Sequence, residues 1–379
     1  MTHKTSYAVC IVMLSLLISG CGKDEAEGQS ATLFRMDLGR TGVYPSEDAA
    51  IRERGAWIFK TGGKIQSAPS IANGLLYIVS TDKCLYALDC STGNQKWKSR
   101  GQIGIPVSPT ISGGIAYFGR NDGYFCAVDS MSGEEKWKLK TKRGLSTPPA
   151  VVGDIVYFGN RDGNLYAVHR KTGMVKWVVP VGGGIRSSPA ISEGIVYFGC
   201  DDSNFYAVES ETGKEKWRFS TKGPITSSAS ISDGIAYFGS GDGHLYAVNS
   251  DNGKEVWKFK TLFGIGSSPA VSKGTVYFSC GDFFALEGKT GKVKWRFTVE
   301  SALMGFHASP AITDDIVYAG NYDDYLYALN STTGKVLWKF QTKDKILSSP
   351  SISGGFVYVG SDDGCLYAIR IFTDGSKSK

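Results

Sequence analysis

The chain has 379 residues, 48 of them glycine, and a net charge of +6 from 42 basic and 36 acidic residues. The basic excess flanks tryptophans (KWK, KWR, VWKF) with no aromatic-basic groove motif beside it, which argues against a nucleic-acid partner. Eight cysteines without a CxxC, and only four histidines, argue against a soft-ligand metal site.

The N-terminus reads as a targeting segment, residues 1–20: His3 and Lys4, an apolar core from Tyr7 to Ile18, then Ser19-Gly20 before Cys21. That core is too short to span a bilayer as a helix and fits a signal peptide. Its end, LLISGC, resembles the lipobox of bacterial lipoproteins, which implies cleavage before Cys21 and lipidation of that residue. Residues 21–32 are polar and acidic without periodicity and read as a flexible tether. Residues 33–55 form a leading segment: LFRMDLGRTGVYP does not fit the repeat beyond it, and PSEDAAIRERG is compatible with a short helical crossing.

From residue 56 to 371 one unit returns. Tryptophan recurs at 57, 97, 137, 177, 217, 257, 295 and 338, a spacing of 40 five times, then 38, then 43. Within a unit, four apolar runs (SSASI, IAYFGS, LYAVN, VWKF) alternate with turn pairs such as Asp-Gly and Asn-Gly, where hairpins need positive φ. No run has helical periodicity. A four-stranded antiparallel sheet at this period, apolar on both faces, is a β-propeller blade. About 320 residues of repeat exceed the usual ~150 per domain, a prior that ring architectures break.

The third strand occurs eight times, at Leu85, Phe125, Leu165, Phe205, Leu245, Phe283, Leu326 and Leu366, so eight blades are expected. The last copy lacks a following tryptophan strand, and Trp57 lacks a third strand before it. The Trp57 strand is therefore expected to complete blade eight and close the ring. Lysines on the outer strands discourage edge pairing with another chain, so the protein is expected to be monomeric on its own. Residues 372–379 read as a disordered tail. Cys84, Cys90, Cys126, Cys200, Cys280 and Cys365 fall at spacings that give no disulfide framework.

From Ala87 the sequence ALDCSTGNQKW shows the spacing Ala, x, Asp, x, x, Thr, Gly, three residues, Trp, which returns closely from Ala127, Ala167, Ala207, Ala247, Ala285 and Ala328. This resembles the tryptophan-docking motif of quinoprotein alcohol dehydrogenases and of their non-enzymatic relatives, the PQQ-like propeller repeat proteins. Those relatives include the propeller lipoprotein of the outer-membrane β-barrel assembly machinery. The resemblance implies that Trp57, Trp97, Trp137, Trp177, Trp217, Trp257, Trp295 and Trp338 key each blade to the next. Quinoprotein dehydrogenases carry insertions, an adjacent Cys-Cys pair and calcium-binding carboxylates. This chain has no Cys-Cys dipeptide and almost no insertions, so neither PQQ nor calcium is expected, and no catalytic residue is carried over.

Positions alike in every unit are explained by the blade. The turn aspartates Asp82, Asp122, Asp162, Asp202, Asp242, Asp282, Asp323 and Asp363 are such a set and read as hairpin formers rather than calcium ligands. Individuality appears just before the inner strand, at Gln66, Pro106, Ser146, Arg186, Thr226, Gly266, His307 and Leu347. The same face carries a two-residue deletion at Asp282-Phe283 and a three-residue insertion in 299–307, whose apolar residues read either as local packing or, with Leu303, Met304 and Phe306, as apolar contact for a partner. The candidate binding face is thus Gln66, Arg186, Thr226, Leu303, Met304, Phe306, His307 and Leu347. Loop lysines and arginines, among them Lys64 and Arg186, predict a basic mouth inside an acidic ring.

The function this supports is a lipid-anchored scaffold without enzymatic activity that binds an envelope protein, with a role in outer-membrane protein assembly. Its location would be the outer membrane facing the periplasm where the source has one, and otherwise the cell surface. A PQQ-dependent oxidoreductase and a binder of a small ligand or saccharide at the ring mouth are the alternatives.

Overall fold

The computed structural model describes residues 55–99, 107–145, 147–299, 305–313 and 315–371. The signal segment, Cys21, the tether, the leading segment up to residue 54, Leu303, Met304 and the tail from residue 372 lie outside them.

Every regular element among the described residues is a strand, and the strands form eight four-stranded antiparallel sheets. Blade one runs Ser70–Ala72, Leu75–Ser80, Cys84–Asp89 and Gln95–Lys98 from axis to rim, and six further blades repeat that order. Blade eight takes Ser351–Ser353, Phe356–Gly360 and Cys365–Arg370 from the end of the chain and its outer strand, Gly55–Lys60, from the start. Trp57 lies opposite Ala368 as Trp97 lies opposite Ala87, so the closing strand holds the register of the others.

Burial follows position. Third strands such as Phe125–Val128 are buried on both faces because a sheet covers each side, whereas the outer strand EKWRFS alternates, with Trp217 and Phe219 turned toward the neighbouring blade. The core lies between blades: Leu75, Tyr77 and Leu85 of blade one pack with Ile111, Phe118 and Val128 of blade two, and Tyr358 and Leu366 of blade eight pack with Leu76 and Ile78 of blade one.

Polar contacts lock the same junctions. The Trp97 indole N–H and the Tyr77 hydroxyl both donate to the Ser130 carbonyl of the next blade, at 2.9 and 3.0 Å. The indole lies on the adjoining turn, where Gly133 has φ +79° and an added Cβ would sit 3.0 Å from the ring. At Gly93 the gap to Trp57 is 2.6 Å. Only glycine combines that φ with that approach. The six cysteines of the ring carry free thiols.

Candidate functional site

The loops that lead into the inner strands and the hairpins between second and third strands meet on one face, and the turn aspartates join them. In blade four, Asp202 Oδ1 accepts the backbone N–H of Asn204, and Oδ2 accepts the Tyr206 hydroxyl at 2.7 Å and the Gly182 N–H of the incoming loop at 3.1 Å. Burial alone would raise the Asp202 pKa, but these hydrogen bonds outweigh it and hold the carboxyl below its ordinary value. Tyrosine fills the partner position in six blades; blades two and six have Cys126 and Phe284, and there an arginine takes over. Arg120 reaches Asp122 at 2.5 Å and Arg296 Nε reaches Asp282 at 2.7 Å. The aspartates thus have a fold-building partner in each blade.

The axis opens on this face through a small cavity of about 230 Å³ whose lining includes Ser108, Ser188, Ser228 and Ser268. Backbone N–H groups pass around it: Ser188 donates to Ser228 Oγ at 2.8 Å, Ser228 to Ser268 at 3.0 Å, and Ser268 to Ser309 at 2.9 Å. Two cations of the expected basic mouth are paired with carboxylates. Arg186 is exposed but forks onto Asp201, with Nη2 at 2.7 Å. Lys64 and Gln66 both bind Asp362, at 2.9 and 2.8 Å, and that carboxylate is almost fully buried. Asp201 and Asp362 precede the turn aspartates and reach inward from the hairpins, where they pair with Arg186 and Lys64. A planar quinone bearing several carboxylates needs a flat aromatic wall and available cations. Among the described residues that line the cavity none is aromatic and the one arginine is already paired, a lining that does not match such a quinone.

The remaining candidate-face residues are dispersed. Thr226 and Leu347 are half-buried, and exposed His307 meets the Tyr322 ring edge-on at 5.1 Å. Phe306 corrects the sequence reading: it is fully buried and fills the slot of the recurrent isoleucine (Ile185, Ile225, Ile265), packed against Phe283, Phe297 and Tyr327. A phenyl ring that closes the core is not available to a partner.

The two length changes together build a cleft. In blade six Gly281 alone, at φ +72°, separates the second strand from the third, whereas residues 200–203 do so in blade four. The inserted loop seals part of that gap: Phe306 and Gly281 exchange backbone hydrogen bonds of 2.8 and 3.2 Å. Beside it remains a cavity of about 800 Å³ walled by Phe259, Phe263, Phe284 and Val299, with Arg296 and Asp282 at its edge. On its rim Leu262 is 88% exposed and Phe263 63% exposed. Sequence reasoning passed over both. The signal was present in the repeat itself, since TLFG stands where other blades read TGGK, TKRG, VGGG, TKGP and TKDK.

Chemically the cleft offers apolar surface and one neutral edge. Its single thiol, Cys280, contacts the Phe263 carbonyl at 3.4 Å, and burial raises its pKa, so it is protonated near neutrality and is no nucleophile. Among the described residues no three of His, Cys, Asp and Glu converge as metal ligands. Covering a leucine or phenylalanine contributes roughly 1.5–3 kcal/mol, so a partner that buries Leu262 and Phe263 gains several kcal/mol from two side chains.

Comparisons agree with this architecture. A family model described as outer membrane protein assembly factor BamB matches residues 52–142, 122–262 and 281–378. No curated protein sequence matches the chain. Among solved structures, BamB from Moraxella catarrhalis superposes with a TM-score of 0.70 at 17% identity, covering 84% of this chain and 100% of that one. Quinohemoprotein alcohol dehydrogenase from Comamonas testosteroni gives 0.79 at 16% identity, over 92% of this chain and 81% of that one. A europium-containing methanol dehydrogenase gives 0.78 at 15% identity, over 91% and 98%. At these identities the structures share the fold; the chemistry has to come from the site.

Proposed function

We propose, from the premise that this chain belongs to the family described as outer membrane protein assembly factor BamB, that it is a non-enzymatic propeller scaffold. It is held to a membrane by lipid on Cys21 and binds an envelope protein engaged in outer-membrane protein assembly. The observation that carries this reading is the exposed pair Leu262 and Phe263 over an apolar cleft at the one shortened hairpin among the described blades. An apolar rim beside a concave wall is what a protein-docking site needs, and it asks nothing of a cofactor.

The test is photocrosslinking in the native envelope from a reactive side chain at position 263, with position 91 on the opposite face as control. A discrete adduct from 263 and none from 91, resistant to high salt, is the expected result. Equal labelling from both positions refutes the cleft. Arg186→Glu should leave capture unchanged, because Asp201 already neutralises that arginine. Cys21→Ala should release the protein from membranes, and persistence in the salt-washed membrane fraction with the signal cleaved would count against the lipid anchor.

The PQQ-dependent alternative draws on the dehydrogenase superpositions. Purified protein mixed with PQQ and calcium separates the two readings, the scaffold giving no bound chromophore after gel filtration.

A further inference from the structure

Four of the loops that enter inner strands are tied to the following hairpin by two hydrogen bonds. The loop gives a backbone N–H to the turn aspartate, Gly62 to Asp82, Gly182 to Asp202, Lys222 to Asp242 and Lys343 to Asp363, at 2.9–3.1 Å. Two residues on, its carbonyl takes an N–H back, Lys64 from Thr81, Gly184 from Asp201, Pro224 from Gly241 and Lys345 from Asp362, at 2.8–3.0 Å. A carboxylate and a neighbouring backbone N–H from one turn thus hold the loop.

The loop at the cleft has neither bond. By repeat register its donor is Leu262 and its acceptor Gly264. The shortened hairpin has no turn aspartate left: Asp282 lies inside the third strand at the register of Asn204, with Phe283 opposite Phe297 as Phe205 is opposite Phe219, and Arg296 holds its carboxylate. The Gly281 N–H goes to the Phe306 carbonyl. Among the described residues the Leu262 N–H meets no acceptor, and the Gly264 carbonyl meets the Cys280 thiol at 3.6 Å but no N–H.

Water can serve both groups while the cleft is open. A partner that covers Leu262 and Phe263 removes that water and has to replace it, since a buried donor left unpaired offsets what the apolar contact gains. The charges on the wall select the replacement. Arg296 neutralises Asp282, whereas Lys260, exposed on the same wall, has no carboxylate partner among the described residues. An anionic acceptor suits that balance, and hydrogen bonds to an ionised acceptor are the stronger kind.

Resting on the reading of the cleft as a docking site, we propose that its occupant is an exposed turn of the envelope partner protein carrying an aspartate or glutamate beside an apolar side chain. The carboxylate accepts the Leu262 N–H, a backbone N–H of the same turn binds the Gly264 carbonyl, and the apolar side chain lies against Phe263, Phe284 and Val299. The partner supplies in trans what the hairpins of other blades supply in cis. A cleft of about 800 Å³ has room for such a turn.

The test uses a probe built from the chain's own chemistry, a backbone-cyclised peptide copying residues 198–206, the blade-four hairpin, with Cys200→Ser. Its control carries Asp201→Asn and Asp202→Asn as well. Each is titrated into the full chain labelled with ¹⁵N-leucine, the Leu262 amide peak being assigned by its loss in Leu262→Met. The acidic probe should move that peak and bind about tenfold more tightly than the control, and Phe263→Ala should weaken both probes by one factor, leaving their ratio unchanged. Equal binding of the two probes, or binding that leaves the Leu262 amide unmoved, overturns the carboxylate as the recognised group; absence of binding by either overturns the turn as occupant. None of these results touches the docking reading, which the adduct from position 263 decides separately. In that adduct, mass spectrometry of the crosslinked segment should find an aspartate or glutamate within a few residues of the attachment point. A segment without one, a second copy of this chain, or lipid overturns the proposal.

Discussion

Blades four and six carry the same four strands and differ at one hairpin. In blade four, residues 200–203 bring Asp202 beneath Tyr206 and Asp201 against Arg186, so each polar group at that edge meets a partner. In blade six, Gly281 is all that remains, Phe284 replaces the tyrosine, and Arg296 has to reach across to Asp282. Shortening the hairpin uncovers an apolar wall, and the neighbouring loop places Leu262 and Phe263 over it. A repeat protein can acquire an apolar cleft by omission. The rest of the ring keeps its shape because each junction carries its own core and its own hydrogen bonds.

The largest effect should come from breaking what both blades depend on, a closed ring. Deleting residues 31–60 removes the outer strand of blade eight and exposes an edge, and the expected outcome is aggregation with loss of the cooperative melt. A monomeric deletion variant melting like the parent would mean that the strand pairing of Gly55–Lys60 is dispensable.

Next in size, Trp217→Ala removes the key between blades four and five. The indole lies on Gly253 and donates to Ser250 at 3.0 Å, so its loss should cost about 3–5 kcal/mol by urea titration. Trp295→Ala at the junction leaving blade six should cost the same, which would show that the cleft does not weaken its own blade.

Function should divide the two blades where stability does not. Inserting Gly-Asn beside Gly281 restores the hairpin length of blade four, and Phe263→Asp puts a charge on the rim. Each should lower partner capture by roughly 10²-fold, about 2.7 kcal/mol, with the melting temperature nearly unmoved. Equal insertions in the blade-four hairpin should leave capture as it was.

The smallest effect is acid sensitivity. The folded-state pKa of Asp202 is depressed, so its contribution is present above the unfolded value of 3.8 and is lost as pH falls through the lower folded value. The parent's melting temperature should drop below about pH 4, and Asp202→Asn should make that limb shallower by a fraction of the whole. Asp82, Asp242 and Asp363 are depressed in the same way and keep the rest of it. A limb unchanged by Asp202→Asn would show that the Tyr206 pair contributes nothing.

The ring was legible because its building signals are local and repeated. A recurrent turn aspartate, a turn glycine with a tryptophan four residues past it and apolar runs of strand length are visible within a span of about 40 residues. Ring closure was legible from the same count, since a strand missing at one end was present at the other. The candidate face was legible only in part. Residue-by-residue variation pointed to the face and the blade six to blade seven junction where the cleft lies, but it assigned Phe306 to solvent and passed over Leu262 and Phe263.

The sequence by itself determined the blade, the number of blades and the face that varies, because hairpin chemistry and apolar alternation act between residues a few positions apart. The tertiary structure alone decided which side chains are exposed and which are paired. Lys64 meets Asp362 across 298 residues, Phe306 enters a core made by blades six and seven, and Trp338 faces a junction where the described residues supply no acceptor. Those outcomes depend on how neighbouring blades approach one another, and no local pattern records that distance.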